Sequence, residues 1–208
     1  MHWADVVAEQ LAERADSHIV ATGITPSGPI HVGNMREVLT ADLIVRACED
    51  RGLDAELVYI ADSADPLRKV YPFLDNNYAE WVGHPLAEIP APEGDGSYAD
   101  YFLKPFFEAL REVGVAPRVV DNHTAYREGR FTDCTRAVVE NVEQTREILE
   151  RVSGRQLPRD WFPWTCRDSD GRLVEGRVTK CEWPILEFEN EAGETVRNNL
   201  AKGEGKLP

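Results

Sequence analysis

The stretch His18–Arg36, HIVATGITPSGPIHVGNMR, joins a short apolar run, a turn rich in glycine and proline, and the start of a helical pattern. Ile19 and Val20 are β-branched and favour a strand, which Ala21 and Thr22 extend. Gly23, Pro26, Gly28 and Pro29 then forbid continuation of either strand or helix. A helical pattern begins near Ile30. A strand that feeds through such a turn into a helix N-terminus makes a ready anion site. The first backbone N–H groups of the helix lack internal partners, and its dipole favours negative charge there. His31, Gly33 and Asn34 fall on that first turn. His31 can donate to a phosphate oxygen, Gly33 lets a flat group pack against the backbone, and Asn34 can donate or accept. The competing reading is a glycine-rich strand–helix turn that binds nothing.

Working outward, the spacing predicts a helix over His31–Asp50, with Met35, Val38, Leu39, Leu43 and Ala47 as its buried stripe and Gly52 as its stop. Leu53–Ala61 contains a second strand centred on Leu57–Ile60. A unit of this kind has a right-handed crossover, which predicts a parallel sheet with its site at the strand C-terminal ends. Asp62, Ser63 and Asp65 land on that edge, followed by Arg68-Lys69-Val70. Carboxylates there suit an ammonium group and the basic pair suits phosphate or RNA. Equally, Asp62 or Asp65 caps a helix with Pro66 in its first position. Upstream, Trp3–Ala15 reads as a packing helix with Val6, Val7, Leu11 and Ala15 on one face.

Residues 71–92 read as an ordered loop region packed by Phe73, Trp81 and Leu86. Ser97 caps a helix to about Val113, kinked at Pro105, whose face of Tyr98, Tyr101, Phe102, Phe106 and Leu110 reads as core. Arg118–Val120 is a third strand, and Asp121-Asn122-His123 reach the same sheet edge, where His123 lines the site or caps a loop. Phe131–Val152 reads as one long helix, capped by Thr132 and stopped at Gly154, with Val138, Val142, Ile148, Leu149 and Val152 on its apolar side. Beyond it, the turn signals Asp170-Gly171 and Ala192-Gly193 separate alternating runs at Arg172–Val178 and Trp183–Glu189, a small β-rich segment.

The chain has 208 residues, 42% of them hydrophobic, enough for a substantial core. No apolar run is long enough for a membrane helix, and no secretory leader pattern opens the chain. Cys48, Cys134, Cys166 and Cys181 are widely spaced, which suits a reducing compartment and argues against four-coordinate zinc. The net charge of −14 with only five lysines is unusual for a nucleic-acid partner. It fits either a chain that binds no nucleic acid or one adapted to high salt.

The string PSGPIHVGN resembles the HIGH signature of class I aminoacyl-tRNA synthetases, with Asn34 in place of the final histidine. The longer GITPSGPIHVGNMRE, with the opening His2-Trp3-Ala4-Asp5, is similar to the class I lysyl-tRNA synthetases found mainly in archaea. The acidic loop and Arg68-Lys69-Val70 resemble that family too, although Ser63 and the lack of a tryptophan depart from its usual pattern. The resemblance implies an α/β, Rossmann-like nucleotide-binding fold, its N-terminal half over residues 1–125 and a helix plus β-rich connective insertion over 126–208. It implies ATP with Mg2+, lysine and tRNA(Lys) as partners, no zinc, no membrane, a monomer, and a cytoplasmic, salt-adapted enzyme. His31 and Asn34 would be catalytic. Pro26, Ser27, Gly28, His31, Gly33 and Asn34 would bind ATP. Gly23, Ile24, Thr25, Asp62 and Asp65 would face the amino acid. No KMSKS-like loop follows, so the chain reads as a front fragment, expected to be inactive alone. Rival readings are another class I synthetase, a nucleotidyltransferase with an HxGH turn, and a non-catalytic nucleotide-binding module.

Overall fold

The computed structural model describes residues 2–208. They form two compact units. The first runs to Asp65 and resumes over Leu86–Asn122; the second comprises Pro66–Pro85 and His123–Pro208.

The first unit is built on a parallel sheet. Strand β1 (Ser17–Ile24) pairs along all of its length with β2 (Asp54–Ala61), and β2 pairs with β3 (Arg118–Asp121), giving the order β1-β2-β3. Helix α2 (Val32–Asp50) connects the first pair and α3 (Tyr98–Glu112) the second. Both right-handed crossovers step the same way across the sheet, so both helices cover one face. Thr22 and Tyr59, register partners, point to that face. Thr22 Oγ1 donates to Glu37 of α2 at 2.7 Å, and the Tyr59 ring meets Phe107 of α3 edge-on at 5.3 Å between centroids. On the opposite face Ile19 is 67% exposed.

Helix α1 (Trp3–Ala12) is three residues shorter than its pattern suggests. Its buried residues are Ala4 and Ala8, packed on Ala47 and Cys48 of α2, while Val6 is exposed. Small side chains let the two helix backbones approach, so the alanine stripe wins over the valines. The stripe of α2 rotates likewise: Val38, Ala41, Val45, Ala47 and Cys48 are buried and Leu43 is exposed. Ser97 caps α3 by accepting from Asp100 N–H at 3.1 Å, and the helix spans Pro105. Tyr98, Phe102, Leu103, Phe106 and Leu110 are its buried face, with Tyr101 at the rim. Of the residues expected to pack the loop region, Leu86 is buried but Phe73 is exposed and stacks on Tyr71.

In the second unit the single helix expected over 131–152 is two: α5 (Thr132–Glu140) and α6 (Val142–Ser153), after a short α4 (Asn122–Arg127) that opens at the end of the first unit. Asn141 breaks the helix, at φ −127° and ψ 46°. Its amide donates to Ala137 O while its carbonyl accepts from Thr145 N–H, so it closes α5 and opens α6. Phe131, not Thr132, occupies the cap position of α5. Gly154 ends α6 in the left-handed conformation, as expected. The apolar side of α6 is not buried: Ile148, Leu149 and Val152 are all exposed.

The β-rich segment follows the turn signals. β4 (Cys166–Arg167) and β5 (Leu173–Val174) flank Asp170-Gly171, and β6 (Arg177–Glu182), β7 (Ile185–Glu189) and β8 (Thr195–Asn199) form an antiparallel meander. The run Arg172–Val178 is split into two strands at Glu175-Gly176, where a side chain on Gly176 would collide with the Phe188 ring. Leu186 and Phe188 on β7, with Val139, Trp164, Cys166 and Leu200, form this unit's core. Burial pushes the Cys166 thiol up to about 12.

Candidate active site

The signature turn joins β1 to α2 at the C-terminal edge of the sheet. Helix α2 starts at Val32, and His31 is its N-cap. His31 Nδ1 accepts from Gly33 N–H at 3.0 Å, and Asn34 Oδ1 accepts from His31 N–H at 3.3 Å. This reciprocal pair is a capping box, with histidine in the place usually held by serine or threonine. It has two chemical consequences. An imidazole that accepts at Nδ1 carries its hydrogen on Nε2, so the cap leaves Nε2–H as a donor on an exposed ring. Asn34, whose oxygen faces the backbone, offers its NH2 group outward.

The glycines have their own reasons. A Cβ on Gly33 would lie 2.8 Å from Cε1 and 2.9 Å from Nδ1 of His31, so glycine makes room for the capping ring. A Cβ on Gly23 would lie 2.8 Å from the carbonyl oxygen of Ile60, so Gly23 permits close approach of β1 and β2. Glu37, one turn into α2, receives the Thr22 hydroxyl and, at 3.5 Å, the Gly23 N–H. Within the turn Pro26 is buried, and the hydroxyl of the fully buried Tyr98 donates to Ser27 O at 2.8 Å. The end of β1 is thus tied to α2 by Glu37, and the turn after it to α3 by Tyr98. Neither residue stands out in the sequence: Glu37 is one acid among many, and Tyr98 sits in an aromatic run.

Ile24, Ala61 and Asp121 lie side by side in the sheet register, and the residues just beyond them, Thr25, Asp62 and Asn122, share its C-terminal edge. No helix starts at Asp62 or Asp65, so the capping alternative for these residues is not realised. Instead Asp62–Asp65 is a tight turn tied into a network. Thr25 Oγ1 donates to Asp65 Oδ2 at 2.8 Å. The Ser63 hydroxyl donates to Asp121. Asn122 Oδ1 accepts from Ala64 N–H at 2.9 Å, and Asn122 Nδ2 donates to Asp62 Oδ1. Ser63, Asp65 and Asn122 are buried and Asp62 is partly exposed. Of the other residues singled out in the sequence, His123 opens the second unit within α4, and Arg68 and Lys69 also belong to that unit, the Lys69 ammonium standing 5.5 Å from the Tyr71 ring centre.

Beside the turn a groove of about 880 Å³ is lined by apolar residues that include Ile30, Val32, Met35, Phe102 and Phe106, and by the carboxylates of Glu93, Asp95 and Asp100. His31 also lines this groove, so the capping ring stands at the border between the signature turn and a largely apolar pocket. Among the described residues no three His, Cys, Asp or Glu side chains are placed to hold a metal ion. No described helix is long and apolar enough to cross a membrane.

The whole chain, residues 1–208, matches the family model described as tRNA synthetases class I (K). It is 51% identical over 180 residues to lysine–tRNA ligase 1 of Methanosarcina acetivorans, covering 86% of this chain and 34% of that protein. It is 48% identical over 221 residues to the lysine–tRNA ligase of Methanocaldococcus jannaschii (100% of this chain, 40% of the relative). The lysine–tRNA ligase of Archaeoglobus fulgidus is 43% identical over 210 residues (100% and 42%). The chain therefore spans about a third to two fifths of the length of these curated relatives. A three-stranded parallel sheet with a HIGH-like turn at its C-terminal edge, a β-rich segment after it, and a match from end to end together place the chain in the class I tRNA synthetase family of the lysine type.

Proposed function

We propose that the full-length protein is a lysine–tRNA ligase and that this chain carries the nucleotide-binding turn and part of the lysine site. The observation that supports the reading is the His31–Asn34 capping box, which leaves the His31 Nε2–H and the Asn34 NH2 group as side-chain donors at the helix N-terminus. The lysine carboxylate attacks the α-phosphate of ATP, the α–β phosphoanhydride breaks, and lysyl-adenylate and pyrophosphate form. The lysyl group then passes to the 3′ end of tRNA(Lys) and AMP leaves. No covalent enzyme intermediate arises, so the protein works by positioning and by stabilising charge. His31 Nε2–H and the Asn34 amide meet the phosphates. The turn Pro26-Ser27-Gly28, anchored by Tyr98, shapes the nucleotide side. Gly23, Ile24 and Thr25, with Asp62 and Asp65, form the amino-acid side, where the carboxylates receive an ammonium group. Mg2+ enters on the phosphates of ATP; the described residues offer it no cage of their own. The acid-rich composition goes with a salt-adapted enzyme.

Lysine-dependent ATP–pyrophosphate exchange, measured in high salt on this chain and on the full-length protein, tests the proposal. Exchange by the full-length protein with lysine alone among the amino acids supports it. Exchange with a different amino acid makes the protein another class I synthetase. Nucleotide binding without exchange for any amino acid makes it a binding module and overturns the mechanism.

A further inference from the structure

We infer that Asn122 is a positioning residue for the amino-acid step, fixing the carboxylate of Asp62 at the sheet edge; the inference rests on the reading of Asp62 as part of the lysine site. Asn122 is buried at the first position after β3, laterally next to Asp62 at the first position after β2. Its orientation is dictated by its neighbours. Ala64 N–H can only donate, so the atom 2.9 Å away must be the amide oxygen. That leaves Nδ2, with its two hydrogens, toward Asp62 Oδ1. A second tie holds the same corner: the Ser63 hydroxyl, fully buried, donates to Asp121, the residue before Asn122. Asn122 therefore bridges the backbone of the Asp62–Asp65 turn and the side chain of Asp62, and it does so from a different strand. With one oxygen of Asp62 set by Asn122, the direction of the other is set as well. A carboxylate that receives an ammonium group gains most when its direction is fixed before the ligand arrives, because no side-chain freedom is then lost on binding. A short polar side chain with both an acceptor and a donor is needed in this place, and asparagine has both.

The test uses the full-length enzyme in lysine-dependent pyrophosphate exchange, with Asp62→Asn, Asn122→Ala, Asn122→Asp and the double variant Asp62→Asn/Asn122→Ala. Asn122→Asp keeps the acceptor for Ala64 N–H and nearly the same volume, so it remains informative if Asn122→Ala fails to fold. The expected result is a KM for lysine raised about tenfold in each Asn122 variant, with KM for ATP and kcat held within about threefold. In the double variant, KM for lysine should be no higher than in Asp62→Asn alone, because Asn122 acts through Asp62. Additive losses in the double variant, or equal changes in the KM values for lysine and ATP, overturn the positioning role and leave the lysine site standing. A KM for lysine unchanged in Asp62→Asn overturns the assignment of Asp62 itself, and the inference with it.

Discussion

Replacing Gly33 by alanine separates the folding role of the signature turn from its chemical role. The new Cβ would sit 2.8 Å and 2.9 Å from two atoms of the His31 ring. The ring is a mobile side chain, so it gives way, and the 3.0 Å bond from Gly33 N–H to Nδ1 is lost. Loss of an N-cap costs about 1 kcal/mol. Alanine in place of glycine in a helix returns up to about 1 kcal/mol. The two nearly offset, so unfolding of the full-length protein in urea should change by less than about 1 kcal/mol. The chemistry has no such compensation. His31 loses the contact that fixes its tautomer and direction, and one preorganised donor is worth about a hundredfold or more in rate. Lysine-dependent pyrophosphate exchange should therefore fall about tenfold to a hundredfold in Gly33→Ala and about a hundredfold or more in His31→Ala. The double variant should be no slower than His31→Ala. Exchange within about twofold of the parent in Gly33→Ala, at unchanged stability, would refute the reasoning. So would a loss of several kcal/mol, which would mean that the ring cannot move.

Three further outcomes follow from single residues. Tyr98→Phe removes the donor to Ser27 O and should lower stability by about 1 kcal/mol, with a smaller loss of exchange than in His31→Ala; urea unfolding alongside exchange checks both. Tyr59→Phe should do the opposite. The Tyr59 hydroxyl is buried with no hydrogen-bond partner among the described residues, and burial with the nearby Glu37 charge drives its ionisation well above the ordinary range, so removing it should leave stability equal or higher by up to about 1 kcal/mol. The Cys166 thiol should make stability fall in alkali. Its ordinary value is 9.0 and burial raises it to about 12, so between those values the unfolded chain has lost a proton that the folded chain keeps. The folded state is then disfavoured as pH rises. Urea unfolding from neutral pH to pH about 10.5 should show a steeper decline in the parent than in Cys166→Ala, and parallel curves would count against it.

The sheet was legible because its strands are compact apolar runs, the first closed by glycine and proline and the other two by acidic and polar residues, with a helical pattern between the members of each pair. The helix faces were harder. In α1 the valines announce a face by hydropathy, yet Ala4 and Ala8 are buried, because packing two helices closely rewards small volume. The break at Asn141 was hidden because the apolar period continues through it; only the local competition of an asparagine side chain for backbone groups ends the helix there. Gly33 and His31 were visible as a motif but not as a cap, since histidine is not among the residues that usually cap helices. At the second strand the acids were placed correctly at the edge. What they touch depends on Asn122, 60 residues beyond Asp62, and such a pairing has no signature in one sequence.

The cap also changes how the turn can hold an anion. A helix start usually offers its unpaired N–H groups directly to a phosphate. Here His31 N–H is taken by Asn34, Gly33 N–H by the His31 ring, and Asn34 N–H by His31 O at 2.9 Å. Most of the backbone donors are spent before any ligand arrives, so the positive end of the helix reaches an anion chiefly through side chains. The imidazole is suited to this. A helix N–H that donates into Nδ1 polarises the ring, and Nε2–H becomes the stronger donor on the far side. An anion that met Nε2–H would thus feel the dipole of α2 one ring beyond the backbone. In a chain of net charge −14, where the broad field repels phosphate, an attraction of this kind has to be short-ranged and directional. Glycine at position 33 keeps that geometry open, since a Cβ there would push the ring aside.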